Sequence, residues 1–185
     1  MSTASDPNRD QRPAPGEKLK DLYELIDGIE IAMFTTRRPD GHLVSRPMAT
    51  QTQAEGSDLW FVTDVESHKL DELEHDPHVN LAYYRDGTRE WVSVSGTATV
   101  TQDRRAIREL YRPDWKMWFG DEGGERDGGP DDPRLALVTV DVHSVTYLKV
   151  GKPRPVVLFE LVKGLVTGTP PEVGEQRHVT KSELR

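Results

Sequence analysis

The chain has 185 residues and no cysteine, with 24 Lys+Arg against 32 Asp+Glu and a formal net charge of −8. That length favours one domain, and the missing cysteines exclude disulfides, thiolate nucleophiles and cysteine-ligated metal centres. The acidic balance argues against a nucleic-acid binder, whose affinity rests on clustered cations, and no stretch supplies the roughly 20 apolar residues that a membrane span needs.

Residues 1–16 hold Pro7, Pro13 and Pro15 among polar residues and read as a disordered tail. They lack the hydrophobic core of a secretory leader, so the expected location is the cytoplasm. The folded domain is expected over residues 17–150. Leu19, Leu22, Leu25 and Ile26 recur at helical spacing, which predicts an amphipathic helix over Glu17–Asp27, with Gly28 as its stop. Ile29–Thr36 and Leu43–Gln53 flank the turn Pro39-Asp40-Gly41 and predict a hairpin. Glu55–Asp58 forms the next turn and Leu59–Thr63 a third strand. Ser67–Glu74 is a short helix ended by Pro77, and Val79–Tyr84 is a fourth strand.

From Val92 to Thr101, small or apolar residues alternate with Ser and Thr, which predicts a strand with one buried face. Asp103–Leu110 reads as a helix capped by Asp103. Leu135–Val150 holds two strand-like runs meeting near His143-Ser144. The sum is a mainly β protein: a small antiparallel barrel of about six strands with short helices. Gly120–Pro133 is acidic and glycine-rich, and predicts a solvated, mobile loop, with a lid or a weak cation site as the alternatives. Residues 151–185 form a C-terminal extension. Val156–Val166 suits a short helix, and Gly168–Arg185 reads as a loose tail.

Three features point to chemistry. The first is Ser67-His68-Lys69 at a helix start. Cations in a first turn oppose the helix dipole, and a bound phosphate would reverse that sign. An ion pair of Lys69 with Glu66 or Glu72, or a lysine simply facing solvent, is the alternative. The second is Arg46, whose planar fork suits phosphate or ring acceptors, beside Pro47, which marks an edge or irregular strand. The third is aromatic: Trp91, Trp115, Trp118 and Phe119 are either packing residues or the wall of a planar ligand. The six histidines are scattered and predict no metal site.

In order and spacing, Ser45–Thr50 (SRPMAT), Leu59–Asp64 (LWFVTD) with Ser67-His68-Lys69, Asp76–Asn80 (DPHVN) and Trp91–Gly96 (WVSVSG) resemble the pyridoxamine 5′-phosphate oxidase-like flavoproteins with the FMN-binding split-barrel fold. The branch they look closest to is that of general stress protein 26. The resemblance implies that Arg46 and Met48 line the flavin ring and ribityl chain, and that Phe61, Val62 and Thr63 contact the ring edge. It further implies that Ser67, His68 and Lys69 hold the FMN phosphate. Two subunits share each site in this family, so Trp91 and Trp118 would come from the other chain of a homodimer. His68 stands where true oxidases commonly carry arginine. Their C-terminal Trp and Arg/His/Arg cluster has no counterpart beyond Arg177-His178. The resemblance thus implies cofactor binding and flavin redox chemistry on an unknown substrate more than pyridoxamine phosphate oxidation. A non-catalytic flavin carrier or sensor, a protein using FAD or the deazaflavin F420, and a barrel without ligand are the alternatives.

Overall fold

The computed structural model describes residues 15–51, 58–150 and 174–184. The expected N-terminal tail (except Pro15 and Gly16), most of the 55–58 turn and the expected 156–166 helix lie outside them.

The first helix, α1 (Pro15–Ile29), buries Leu22, Leu25 and Ile26 at the spacing the sequence predicts. It does not stop at Gly28. Glu30 adopts the left-handed conformation (φ 66°), and its N–H donates to the Ile26 carbonyl at 2.8 Å. Gly28 serves packing instead, since a Cβ there would lie 2.2 Å from the Arg85 guanidinium.

Among the described residues seven strands follow: β1 (Ile31–Arg37), β2 (Leu43–Ala49), β3 (Leu59–Asp64), β4 (His78–Arg85), β5 (Glu90–Thr101), β6 (Leu135–Lys149) and β7 (Glu175–Thr180). All pairings are antiparallel and run β2-β1-β4-β5-β6-β3, with β7 added to β6. β2 and β3, the two ends of the path, come together where Gln51 N–H donates to the Trp60 carbonyl at 3.0 Å. The architecture is the mainly β, antiparallel one with short helices that the sequence predicts. Pro47 does lie on an end strand, where its missing N–H costs no ladder bond.

β6 explains the two runs seen in the sequence. Leu135–Val140 pairs with β3 and Ser144–Lys149 with β7, so one long strand serves two neighbours on the same edge. Opposite the junction, the β5 register shifts between Ser95 and Gly96, which leaves His143 as the extra residue of a bulge. Gly96 allows that approach: a Cβ would sit 2.4 Å from the Asp141 carbonyl oxygen. On β5, Val92, Val94, Gly96 and Ala98 are buried as predicted, but Val100 lies beyond the covered part and is exposed.

β7 corrects the expectation of a loose tail over 168–185. Val179 is fully buried, and Arg177 pairs with Asp21 of α1. The core is filled by α1 against Phe34, Phe61, Leu81, Val94 and Tyr147, with Phe34 and Phe61 edge-to-face at 5.3 Å. A second cluster lies behind β3, where Trp60 and Leu135 meet Ile107 of α3 (Arg104–Leu110), Trp115 and Phe119. Asp103 caps α3 as expected, accepting from the N–H groups of Arg105 and Ala106.

The 120–133 segment is not the loosely solvated loop its composition suggests. Asp132 and Arg134 are buried, and the Arg134 guanidinium donates to the carbonyls of Phe119, Gly120 and Arg126 and to Glu122 and Asp132. Among the described residues no group of three or more His, Asp or Glu side chains could hold a metal ion, and no helix is long and apolar enough to cross a membrane.

Candidate functional site

A cleft of about 390 Å³ opens where the two ends of the sheet approach each other. That volume lies within the roughly 300–1,000 Å³ of small-molecule sites. One wall is the start of β1 and the end of β2: Ile31, Pro47, Met48 and Ala49, continued by Thr50 and Gln51. The opposite wall is the end of β3, with Val62, Thr63 and Asp64. The roof runs from Arg112 to Phe119, ending in the short helix α4 (Lys116–Phe119). Roof and wall are joined by Trp115, whose indole N–H donates to the Gln51 side-chain oxygen at 3.1 Å.

The polar end belongs to Lys69, the first residue of α2 (Lys69–His75). Its ammonium donates to the Thr63 hydroxyl at 2.5 Å. Burial, and then the neighbouring Arg46 guanidinium, lower the Lys69 pKa below the usual lysine value; Asp64 and Glu72 oppose that shift. The fold therefore holds a cation under a penalty that an anion in the cleft would relieve.

Of the residues singled out in the sequence, Met48, Val62, Thr63, Lys69 and Trp118 line this cleft together. Trp118, expected from a second chain, instead lines the cleft of its own chain and is 75% exposed, whereas Trp115 and Phe119 border the cleft as buried packing residues. The others lie elsewhere. Phe61 is fully buried in the main core, one pleat away from the cleft wall. Arg46 is turned to Glu72 (2.6 Å) and to the Thr36 hydroxyl (2.7 Å), and is not among the lining residues. Ser67 does not cap α2. The cap position is His68, without a side-chain cap bond and with its imidazole almost fully exposed near Asp71. Trp91 sits in β5 opposite Tyr84 and Leu148, outside the cleft of its own chain. Thr50, Gln51, Arg112, Asp114 and Met117 also line the cleft and carry no chemical signal of their own in the sequence. Only proximity to Met48 or Trp118 marks them in the sequence.

Residues 17–172 match the family model described as "Pyridoxamine 5'-phosphate oxidase like". The chain belongs to the pyridoxamine 5′-phosphate oxidase-like family. Within it, the chain is 36% identical over 181 residues to "Protein bli-3" of Neurospora crassa, covering 96% of this chain and 87% of that protein. Among solved structures, a Clostridium acetobutylicum protein related to general stress protein 26 superposes with a TM-score of 0.65 at 14% identity, over 91% of this chain and 98% of that one. The general stress FMN/FAD binding protein of Xanthomonas citri superposes with a TM-score of 0.56 at 25% identity, over 69% of this chain and 84% of that one.

The cleft of this family member suits a flavin nucleotide on its own chemistry. A half-buried ammonium and a hydroxyl stand at one end, and Met48, Val62 and Trp118 provide apolar and aromatic surface for a planar ring along the rest. The Gln51 amide, placed by Trp115, offers polar atoms at the wall.

Proposed function

We propose that this protein is an FMN-binding flavoprotein that works as a homodimer and carries out flavin-dependent oxidoreduction in a stress-linked role. The observation that carries the reading is the pairing, in one cleft, of the half-buried Lys69 ammonium with an aromatic and apolar wall. FMN, when bound, supplies the hydride or electron transfer. The protein's part is to bind the phosphate through Lys69 and Thr63, to seat the ring against Met48, Val62 and Trp118, and to hold the roof over it through the Gln51–Trp115 bond. The flavin nucleotide named for the Xanthomonas citri relative supports this choice.

Dimerisation is supported by the outer face of the sheet. Ile31, Met33 and Tyr84 are each more than 40% exposed there. They lie in register with Ala49, Pro47 and Trp91, respectively. Trp91 thus stands on the surface that a second copy would cover, in keeping with its expected place at a partner's flavin.

The test is a visible spectrum and mass analysis of the purified protein, followed by flavin titration. Bound or titratable FMN is expected, and Lys69→Ala is expected to weaken FMN binding more than tenfold, the scale of a lost charge-assisted phosphate contact. An unchanged titration overturns the phosphate assignment. Bleaching by a nicotinamide donor with turnover to an acceptor separates an enzyme from a flavin carrier, and tighter retention of F420 or FAD than of FMN would replace the cofactor.

A further inference from the structure

α2 carries a buried carboxylate that lies outside the cleft. Glu72 is 7% exposed, three residues along the same helix from Lys69. Its Oε2 accepts the Thr36 hydroxyl at 2.5 Å and an Arg46 N–H at 2.6 Å, and Arg46 also donates to the Thr36 hydroxyl at 2.7 Å. One residue each from β1, β2 and α2 thereby closes a three-membered ring of hydrogen bonds. Burial pushes the Glu72 carboxyl up, but the bonds from Thr36 and Arg46 outweigh it and keep the group ionised below the usual range.

α2 needs such an anchor. A helix of seven residues is too short to hold itself by its own hydrogen bonds. It has no side-chain cap, and its buried residues are Glu72 and Leu73. Leu73 fixes depth against the core, and as an apolar contact it does not specify rotation. The directional bonds of Glu72 do. Lys69 sits at the start of this helix, so the rotation of α2 sets where its ammonium lies.

We propose that Glu72 is the positioning residue of the phosphate site: clamped by Arg46 and Thr36, it fixes α2 so that the Lys69 ammonium stays at the end of the cleft. Arg46 then acts through Glu72. The inference rests on the reading of Lys69 as the partner of the FMN phosphate.

Two probes separate the contributions, because riboflavin lacks the phosphate and reads the ring end of the cleft alone. Glu72→Ala is expected to weaken FMN binding at least tenfold and to leave riboflavin binding within twofold. Glu72→Gln keeps an acceptor oxygen for Arg46 and is expected to recover most of the FMN affinity. Equal weakening of both probes, an unweakened FMN titration, or a Gln variant as weak as Ala each overturns the positioning role. Should Glu72→Ala fail to fold by its thermal melt, Thr36→Val removes the two bonds of the ring that the Thr36 hydroxyl makes and leaves only the Arg46–Glu72 bond, and is expected to show the same FMN-selective loss at about threefold. If the unaltered protein shows no preference for FMN over riboflavin, the phosphate reading itself fails. If that preference survives in Glu72→Ala, only the present inference does.

Discussion

Asp132 and Arg134 show how much one buried pair can organise. Arg134 offers five donors in a fixed fork, and its partners here are three carbonyls and two carboxylates spread over residues 119–132. In turn Asp132 accepts the N–H groups of Gly128 and Arg134. The Arg134 guanidinium, against the opposing effect of burial, holds the Asp132 carboxyl down at about 2. Because that value lies below the roughly 3.9 of an unfolded aspartate, its contribution to stability is complete above about pH 4 and is lost as the pH falls toward 2. Asp132→Asn leaves Arg134 buried without its closest counter-charge, and is expected to cost about 3 kcal/mol near neutral pH. Urea unfolding at a series of pH values checks this: the gap between variant and parent should close between pH 4 and 2, and a gap constant across that range would refute the pair's role. The composition of the segment hid this arrangement. A run of Gly, Asp and Glu looks solvated, and its organising cation stands just outside the run, at position 134.

At the scale of elements, local patterning was legible wherever one face was buried. The alternation of Val92 to Ala98, the stripe of Leu22, Leu25 and Ile26, and the Asp103 cap all predict elements that the fold contains. What patterning could not show was the partner of a strand. β7 has the sequence EQRHVT, with a single aliphatic residue, and reads as solvated chain. It is a strand because β6 runs past the end of β3 and leaves its second half unpaired on that edge. Val179 distinguishes the two views. In a loose tail, Val179→Ala would change stability by less than about 0.5 kcal/mol. As a fully buried residue, it is expected to cost about 2 kcal/mol, from two lost methyl groups and a small cavity, and to lower the melting temperature by about 4–8 °C. The start of α2 was only partly legible for a similar reason. Lys69 does reach the cleft, but Ser67 and His68 lie in the turn before α2 and are not among the lining residues, and Glu72, bonded to Thr36 and Arg46, looks in the sequence like any exposed helical glutamate.

For the whole molecule, one side of the sheet is covered, and the other is covered behind β3 by α3, Trp115 and Phe119 but open over β1 and β4. α1 and the core occupy the first, while Ile31, Met33 and Tyr84 remain exposed on the second. Clustered apolar surface of this kind is where the proposed second copy would dock. Met33→Glu places a charge at its centre, opposite Pro47 and Ala82. In sedimentation velocity the variant is expected to run as a monomer where the parent runs as a dimer, with the far-ultraviolet circular dichroism unchanged. A parent that is monomeric, or a variant that stays paired, would rule out this face. The cleft, by contrast, was only partly legible, because its roof and walls come from segments more than 60 residues apart, such as Gln51 and Trp115. That roof has one more property. Arg134 grips the Phe119 and Gly120 carbonyls from behind, so the pitch of Met117 and Trp118 over the opening is governed from a segment that lines none of it. Lengthening or shortening the stretch between Gly120 and Asp132 would therefore retune which bulk of guest the mouth admits while every wall residue stayed the same.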